Sequence, residues 1–329
     1  MKVMVAGGAG YIGSHTVKEL LKDGFEAVIF DDFSTGKKEL IIGGEVFTGD
    51  LRDDESLKRF FKLHDVRAVL HFASLIQVGE SYLDPQKYYL HNLTTAMNLL
   101  KNMREAGVNK FIFSSSAAVY GIPETNPIPE THPLRPFNPY GRTKFFIEQM
   151  LEDYNRAYDM DFISLRYFNA AGADPEGKLG EMHDPETHLI PNILLSLLEK
   201  NKTLELYGTD FPTPDGTAIR DYIHVTDLAK AHVSALEYLL DNPQSGCINL
   251  GANKGYSVLE IIQETERVTG KKVPYVKKPQ RRGDVPVLLA SNQKAKKVLE
   301  WIPQYSDIET IIKTAWDWHS RLTHSVGTG

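Results

Sequence analysis

The chain is poor in the residues that would place it outside a reducing, aqueous setting. Of 329 residues only one is cysteine, Cys247, so no internal disulfide can form. No cysteine/histidine cluster has zinc-ligand spacing, so no metal site is expected. No apolar run approaches the roughly 18 residues that span a bilayer, which excludes a membrane protein of helical type. Residues 1–13 hold an apolar stretch cut short by Gly7, Gly8 and Gly10, too broken for a signal-peptide core. A cytoplasmic protein is therefore expected. Basic charge is also in short supply: 37 lysines and arginines against 43 acidic residues leave a formal charge of -6. No global field draws the chain to nucleic acid or anionic lipid, and an anionic ligand would need local arginines.

What the chain does have is apolar content, 42% hydrophobic residues over a length that suits two domains or one domain with an added lobe. Strand-like apolar runs at 2–6, 27–30, 45–48, 68–73, 110–114 and 162–167 alternate with helical stretches at 11–22, 53–63 and 85–106, and with a helix from 140. Near-continuous apolar strands joined by helices predict a doubly wound parallel α/β sheet of Rossmann type, because parallel strands need crossovers and are covered on both faces. Past Asn169 the rhythm changes to a loop rich in Gly, Asp, Pro and Glu over 170–186, then a helix near 191–200. The expected division is a dinucleotide-binding domain over 1–170 and a smaller C-terminal α/β substrate lobe over 171–329. Strand-like segments at 221–225 and 247–250 suggest that parts of 221–250 return to the first domain, and 325–329 read as a frayed end.

Gly7, Gly10 and Gly13 form a GxxGxxG pattern between the first strand and the first helix, the context that makes a glycine pattern a dinucleotide fingerprint. Glycines let the backbone approach a pyrophosphate, whose charge sits well at a helix N-terminus. Asp31 ends the second strand, where a carboxylate accepts from the hydroxyls of the adenosine ribose. With Asp32 beside it and no arginine nearby in sequence to receive a 2'-phosphate, NAD is favoured over NADP. Asp50 is a candidate acceptor for the adenine amino group, in competition with helix capping before Asp53. The run Ser34-Thr35-Gly36-Lys37 lacks the full phosphate-loop pattern.

Tyr140 and Lys144 stand four residues apart at the start of a predicted helix and so share a face. A phenol with an ordinary pKa near 10 is a poor base, but an ammonium and a positive nicotinamide ring beside it would favour the phenolate. The pKa of Tyr140 is expected to fall towards working pH, as acid–base catalysis requires. Ser114-Ser115-Ser116 end a strand, on the side that faces the ligand crevice in this architecture. Ser116 is read as the hydroxyl that reaches a substrate oxygen, and Ser114 and Ser115 as turn or capping residues.

In these motifs the sequence resembles the extended short-chain dehydrogenase/reductase family, and within it the UDP-sugar 4-epimerases that interconvert the glucose and galactose nucleotides. The resemblance rests on GGAGYIGSHT (7–16), DDFSTG (31–36), GDLRD (49–53), HFAS (71–74), VGES (78–81), SSSAAVYG (114–121), YGRTK (140–144), RYFNAAGA (166–173), THLIP (187–191), DGTAIRDYIHVTDLA (215–229) and RRGDVP (281–286). It implies reversible C4 epimerisation of a UDP-hexose through a 4-keto intermediate, with transient hydride transfer to tightly bound NAD. Tyr140 would be the acid–base residue, Lys144 its partner and Ser116 the second hydroxyl at the C4 oxygen. Cofactor contacts are implied at Gly7, Gly10, Tyr11, Ile12, Gly13, Asp31, Asp32, Ser34, Thr35, Gly36, Asp50, Leu51, Phe72, Ala73, Ser74, Asn92, Ser114, Tyr140, Lys144 and Tyr167. The UDP-sugar would touch Ser116, Tyr140, Asn169, His188, Leu189, Tyr207, Arg220, Arg281 and Asp284.

The sequence departs from relatives at Ala118, where several have threonine, and at Ile76, where some have a lysine near the pyrophosphate. Sugar-nucleotide dehydratases carry an acid after the strand-end hydroxyl; Ala117 and Ala118 fill those positions, so elimination lacks its catalyst. Other readings left open are a 4-epimerase of an N-acetylhexosamine, pentose or uronic acid nucleotide, with Leu288 at the position that tunes room at C2, and an NAD-sensing protein without turnover. The resemblance also implies a homodimer through the helices at 85–106 and 140–158.

Overall fold

The computed structural model describes residues 1–281 and 283–326; Arg282 of the RRGDVP motif and the last three residues of the expected frayed end lie outside them. The first half alternates β1 (Lys2–Ala6), α1 (Tyr11–Lys22), β2 (Glu26–Asp31), β3 (Glu45–Thr48), α2 (Asp54–Leu63) and β4 (Ala68–His71). There follow α3 (Val78–Leu83), α4 (Pro85–Glu105), β5 (Lys110–Ser116), α5 (Pro139–Tyr158) and β6 (Asp161–Tyr167). The second half runs β7 (Asn169–Ala171), α6 (Leu189–Leu198), β8 (Leu204–Tyr207), β9 (Ile219–His224), α7 (Val225–Asp241) and β10 (Gly246–Leu250). It ends with β11 (Gly255–Ser257), α8 (Val258–Thr269), β12 (Tyr275–Lys278), β13 (Val287–Leu288), α9 (Gln293–Val298) and α10 (Ile308–Val326).

Seven strands form one parallel sheet in the order β10-β6-β5-β4-β1-β2-β3. The apolar runs are continuous because both faces are covered. On β1, Val3 and Val5 pack into one core with α1 and α7, while Met4 and Ala6 pack into another with α2, α4 and α5. All four are fully buried, which at about 25 cal/mol per Å² of apolar surface is the main force holding helices to the sheet. Strand order reverses between β1 and β4, and the crevice at such a switch point is where ligands bind in open parallel sheets.

A second, smaller assembly lies beyond the C-terminal ends of these strands. There β9 pairs with β7, β11 and β13, and β8 pairs with β12, over a core shared by α6, α8 and α10. The chain crosses between the two assemblies after β6, after β9 and after β10. Thus α7 and β10 belong to the large sheet, whereas β9, which precedes them directly, belongs to the small one. The strands β7, β11 and β13, of two or three residues, are too short to show an alternating pattern in the sequence.

Candidate active site

The turn from β1 to α1 is built for close approach. Gly7 has φ +82°, and a Cβ there would meet the Ala73 amide nitrogen at 2.6 Å. A Cβ on Gly13 would meet the Gly7 carbonyl oxygen at 2.2 Å. Any side chain would therefore push the turn off the loop after β4. Gly10 is the N-cap of α1 and has no side chain with which to cap it, so the first amides of the helix stay available to an anionic ligand. Tyr11 and Ile12 open that helix. The Tyr11 hydroxyl donates to the Gly172 carbonyl at 2.6 Å, and Ile12 packs on the core.

Asp31 is buried beside this turn. One carboxylate oxygen accepts from the Ala9 amide and the other from the Phe33 amide, each at 2.9 Å. Each oxygen keeps a second lone pair for a ribose hydroxyl. A Cβ on Gly36 would meet the Asp31 carboxylate at 2.7 Å, so the loop closes over it. Ser34 donates from both its amide (2.8 Å) and its hydroxyl (2.6 Å) to the exposed Asp32, and Thr35 is exposed. These features fit a dinucleotide with pyrophosphate at the helix terminus and adenosine ribose at Asp31.

Two expectations change here. Asp53, not Asp50, caps α2, accepting from the Glu55 amide at 3.1 Å. Asp50 instead takes the Arg52 guanidinium on both oxygens, at 2.7–3.0 Å, and this pairing holds its carboxyl below the usual range. An arginine does therefore approach the Asp31–Asp32 edge, because the Asp32 charge acts on Arg52; its fork, however, is already occupied by Asp50. Leu51 between them is buried. Asn92, implied as a cofactor contact, is committed to the protein itself. It is fully buried, with its amide bonded to both backbone groups of Leu75 and to the Thr143 hydroxyl. It ties the loop after β4 to α5 and leaves no surface for a ligand. Phe72 and Ala73 carry that loop away from β4, and Ser74 faces Lys144; Ile76 is exposed.

Helix α5 begins at Asn138, whose side chain accepts from the Gly141 amide at 2.6 Å, with Pro139 fixing its first turn. A Cβ on Gly141 would meet the Ala118 carbonyl oxygen at 2.5 Å, so α5 sits directly on the turn that follows β5. This contact brings Tyr140 to Ser116, and the two hydrogen-bond. Lys144, one turn on and buried, lies 5.8 Å from the centre of the Tyr140 ring. Its ammonium donates to the Ser74 hydroxyl at 2.9 Å and the Ser114 carbonyl at 2.8 Å. Capping falls to Ser116 and not to Ser114 or Ser115: its hydroxyl accepts from the Ala118 amide at 3.2 Å while also serving Tyr140. Ser114 pairs with the Tyr167 hydroxyl, and Ser115 donates to Glu148 at 2.6 Å.

The protein's own groups do not produce the expected fall of the phenol. Burial pushes Tyr140 up, and the Ser116 hydrogen bond opposes this only in part. Burial also pulls Lys144 down to about 7, against the pull of Glu148. Burial thus works against the charge on Lys144, which weakens its support for a phenolate at Tyr140.

Beneath the lysine lies a network that sequence reading missed. Glu148 and Arg166 are both buried and paired through two hydrogen bonds, at 2.9 and 2.7 Å. Arg166 also donates to the Tyr120 hydroxyl at 3.0 Å, and Tyr120 to Asn249 of β10 at 2.6 Å. The spacing of Lys144 and Glu148, four residues apart on one helix, was the available signal.

In the smaller assembly the structure gathers one group of the expected substrate contacts. Arg281 stacks its guanidinium 5.0 Å from the centre of the Tyr207 ring and pairs with Asp284 at 3.1 Å. Arg220 is close enough to feel both charges, and burial lowers its pKa. Asn169 donates to the Asp221 carbonyl at 2.8 Å, joining β7 to β9. His188 is the N-cap of α6 but turns its ring to Glu181, and Leu189 packs partly into the core below.

Residues 3–251 match the family described as NAD dependent epimerase/dehydratase. The chain is 47% identical over 319 residues to a UDP-glucose 4-epimerase of Rhizobium leguminosarum bv. trifolii, with 97% of each chain covered. It superposes with a TM-score of 0.94 and 46% identity on the crystal structure of UDP-glucose 4-epimerase from Brucella ovis in complex with NAD, covering 97% of this chain and 98% of that one. A UDP-glucose-4-epimerase from Stenotrophomonas maltophila with bound NAD and formylated UDP-arabinopyranose gives a TM-score of 0.95 at 38% identity, with 99% of each chain covered. By its matched residues, its sheet order and its glycine turn, this chain belongs to the NAD dependent epimerase/dehydratase family.

Proposed function

We propose that the protein interconverts UDP-glucose and UDP-galactose by reversible epimerisation at C4, through a 4-keto sugar. The observation that carries this reading is the meeting of Tyr140, Ser116 and Lys144 at the C-terminal edge of β5, next to the glycine turn. Tyr140 takes the proton from the C4 hydroxyl and later returns it, so one phenol serves as base and acid. Ser116 holds the same oxygen and, through its bond to Tyr140, keeps the phenol in line with it. Bound NAD supplies the hydride acceptor at C4 and, when oxidised, a positive ring charge that favours the phenolate in this buried setting. Lys144 is anchored by Ser74 and Ser114 beside the phenol, where it would also hold the ribose of a bound NAD. Arg220, Arg281, Asp284 and Tyr207 hold the nucleotide diphosphate while the sugar presents either face. Ala117 and Ala118 bring no carboxyl group to the sugar, so no residue there drives elimination.

Purified protein with no cofactor added is expected to convert UDP-galactose to UDP-glucose without net formation of NADH, in a panel of UDP-sugars that includes N-acetylated, pentose and uronic acid forms. Stoichiometric NADH formation would instead mark a net dehydrogenase, and a chain inert to the whole panel would contradict the reading.

The same reading includes a homodimer in the cytoplasm. Leu90 and Met97 of α4 are 59% and 55% exposed, and Phe146 of α5 is 43% exposed, which leaves an apolar strip on the two helices that cover one face of the sheet. A second copy laying its own α4 and α5 on this strip would form a twofold four-helix contact. A particle of one chain's mass by light scattering at micromolar concentration would contradict it. No helix among the described residues is long and apolar enough to cross a membrane.

A further inference from the structure

We propose that Glu181, His183, Glu186 and His188 form a binding site for one divalent transition-metal ion, zinc being the expected occupant. Among the described residues this is the one group of three or more histidine, cysteine or acidic side chains placed to hold an ion. One donor atom from each of the four lies within 4.8 Å of the others. They sit on the loop between β7 and α6, against the first residue of α1: the rings of Tyr11 and His183 are 6.2 Å apart.

Glu181 is buried, and its ion partners are two imidazoles and no lysine or arginine. Both rings turn the same nitrogen, Nδ1, to the same oxygen, Oε1, His183 at 2.7 Å and His188 closer still. The His188 Nδ1 is also 3.5 Å from Oε1 of Glu186. Two imidazole nitrogens and two carboxylates thus converge on one point. Two carboxylates so close repel one another. With an ion bound the imidazoles are neutral, so the four side chains would bring two negative charges, which one divalent ion cancels.

The donor types fit zinc, which takes imidazole nitrogen and carboxylate oxygen at about 2.0–2.2 Å in tetrahedral sites. Donors around such an ion stand roughly 3.3 Å apart. The present spacings bracket that value, so small rotations of the partly exposed His188 and His183 suffice. The backbone is already fixed. The Glu181 carbonyl accepts from the Trp318 indole at 3.0 Å, and the Glu186 carboxylate accepts from the Thr187 and His188 amides at 2.7 and 2.8 Å. An ion here would lock the turn that delivers His188 and Leu189 to the sugar-nucleotide cleft, a structural role and not a step in the reaction. The search for cysteine and histidine spacing in the sequence passes over this site because half of its donors are carboxylates and all four lie within eight residues.

The test uses tag-free full-length protein with its cofactor, stripped with a chelator and titrated with zinc chloride in competition with a chromogenic chelator. One equivalent per chain is expected, together with a rise in Tm on adding zinc. Losing a ligand should weaken zinc at least as much as losing an outer hydrogen-bond partner does, about 10–100-fold. His183→Gln and Glu186→Gln are each expected to show that loss and to lose the zinc-dependent rise in Tm. His183→Gln is the safer variant, because its side chain is partly exposed and an unchanged far-UV spectrum would show it folded. Wild-type protein that takes up no zinc, or variants that bind it as tightly as wild type, would overturn the proposal.

Discussion

Replacing Tyr140 by phenylalanine is expected to lower kcat by about 10²–10⁴-fold, the usual contribution of a positioned acid–base group, with little change in KM. The substitution removes one oxygen from a buried ring on α5, beside the turn after β5, so the fold and the cofactor turn should be untouched. No neighbour can stand in for it. Ser116 already caps the turn through Ala118, and the Lys144 ammonium is committed to Ser74 and Ser114. Steady-state turnover with UDP-galactose checks this; near-normal kcat would remove Tyr140 from the chemistry.

Replacing Glu148 by glutamine is expected to cost about 3–5 kcal/mol of stability, the penalty for leaving one charge of a buried pair without its partner. The guanidinium of Arg166 has 4% and the carboxylate of Glu148 1% of its side chain exposed, so solvent cannot take over. The loss should reach function too. Glu148 is the acidic neighbour whose charge supports that of Lys144, and without it the lysine should fall further below its depressed value of about 7. Denaturant unfolding of the two proteins reads the first effect. A difference under about 1 kcal/mol would mean that the pair behaves as a surface salt bridge.

The parts of this architecture that could be read from the sequence are those whose determinants are contiguous. The glycine turn was legible because three glycines, a strand before them and a helix after them fall within two dozen residues. The core strands were legible because burial on both faces makes them apolar throughout. The nearness of Tyr140 and Lys144 followed from helical spacing alone. Determinants that meet only through the fold were not visible. Arg166 reaches Glu148 from the neighbouring strand, Asn92 spends its amide on α5, and nothing in the order of residues told that Arg52 would turn back onto Asp50.

The state of the phenol shows the same limit in energetic form. Sequence gives the neighbour, an ammonium, but not the depth at which both groups are buried. Here burial raises the tyrosine and lowers the lysine, so each group's charge is disfavoured before any ligand arrives. The strand-end serines divide their tasks in a similarly unforeseen way, since Ser116 caps a turn and faces Tyr140 at once.

In the proposed reaction hydride leaves C4 and returns to the same carbon without leaving the site. The most direct measurement uses UDP-galactose carrying deuterium at C4, with purified protein in ordinary water and the product analysed by mass spectrometry and NMR. The account predicts UDP-glucose with its deuterium kept at C4 and no solvent hydrogen there. Loss of the label to water would contradict it, since the carbon-bound hydrogen would then have moved as a proton.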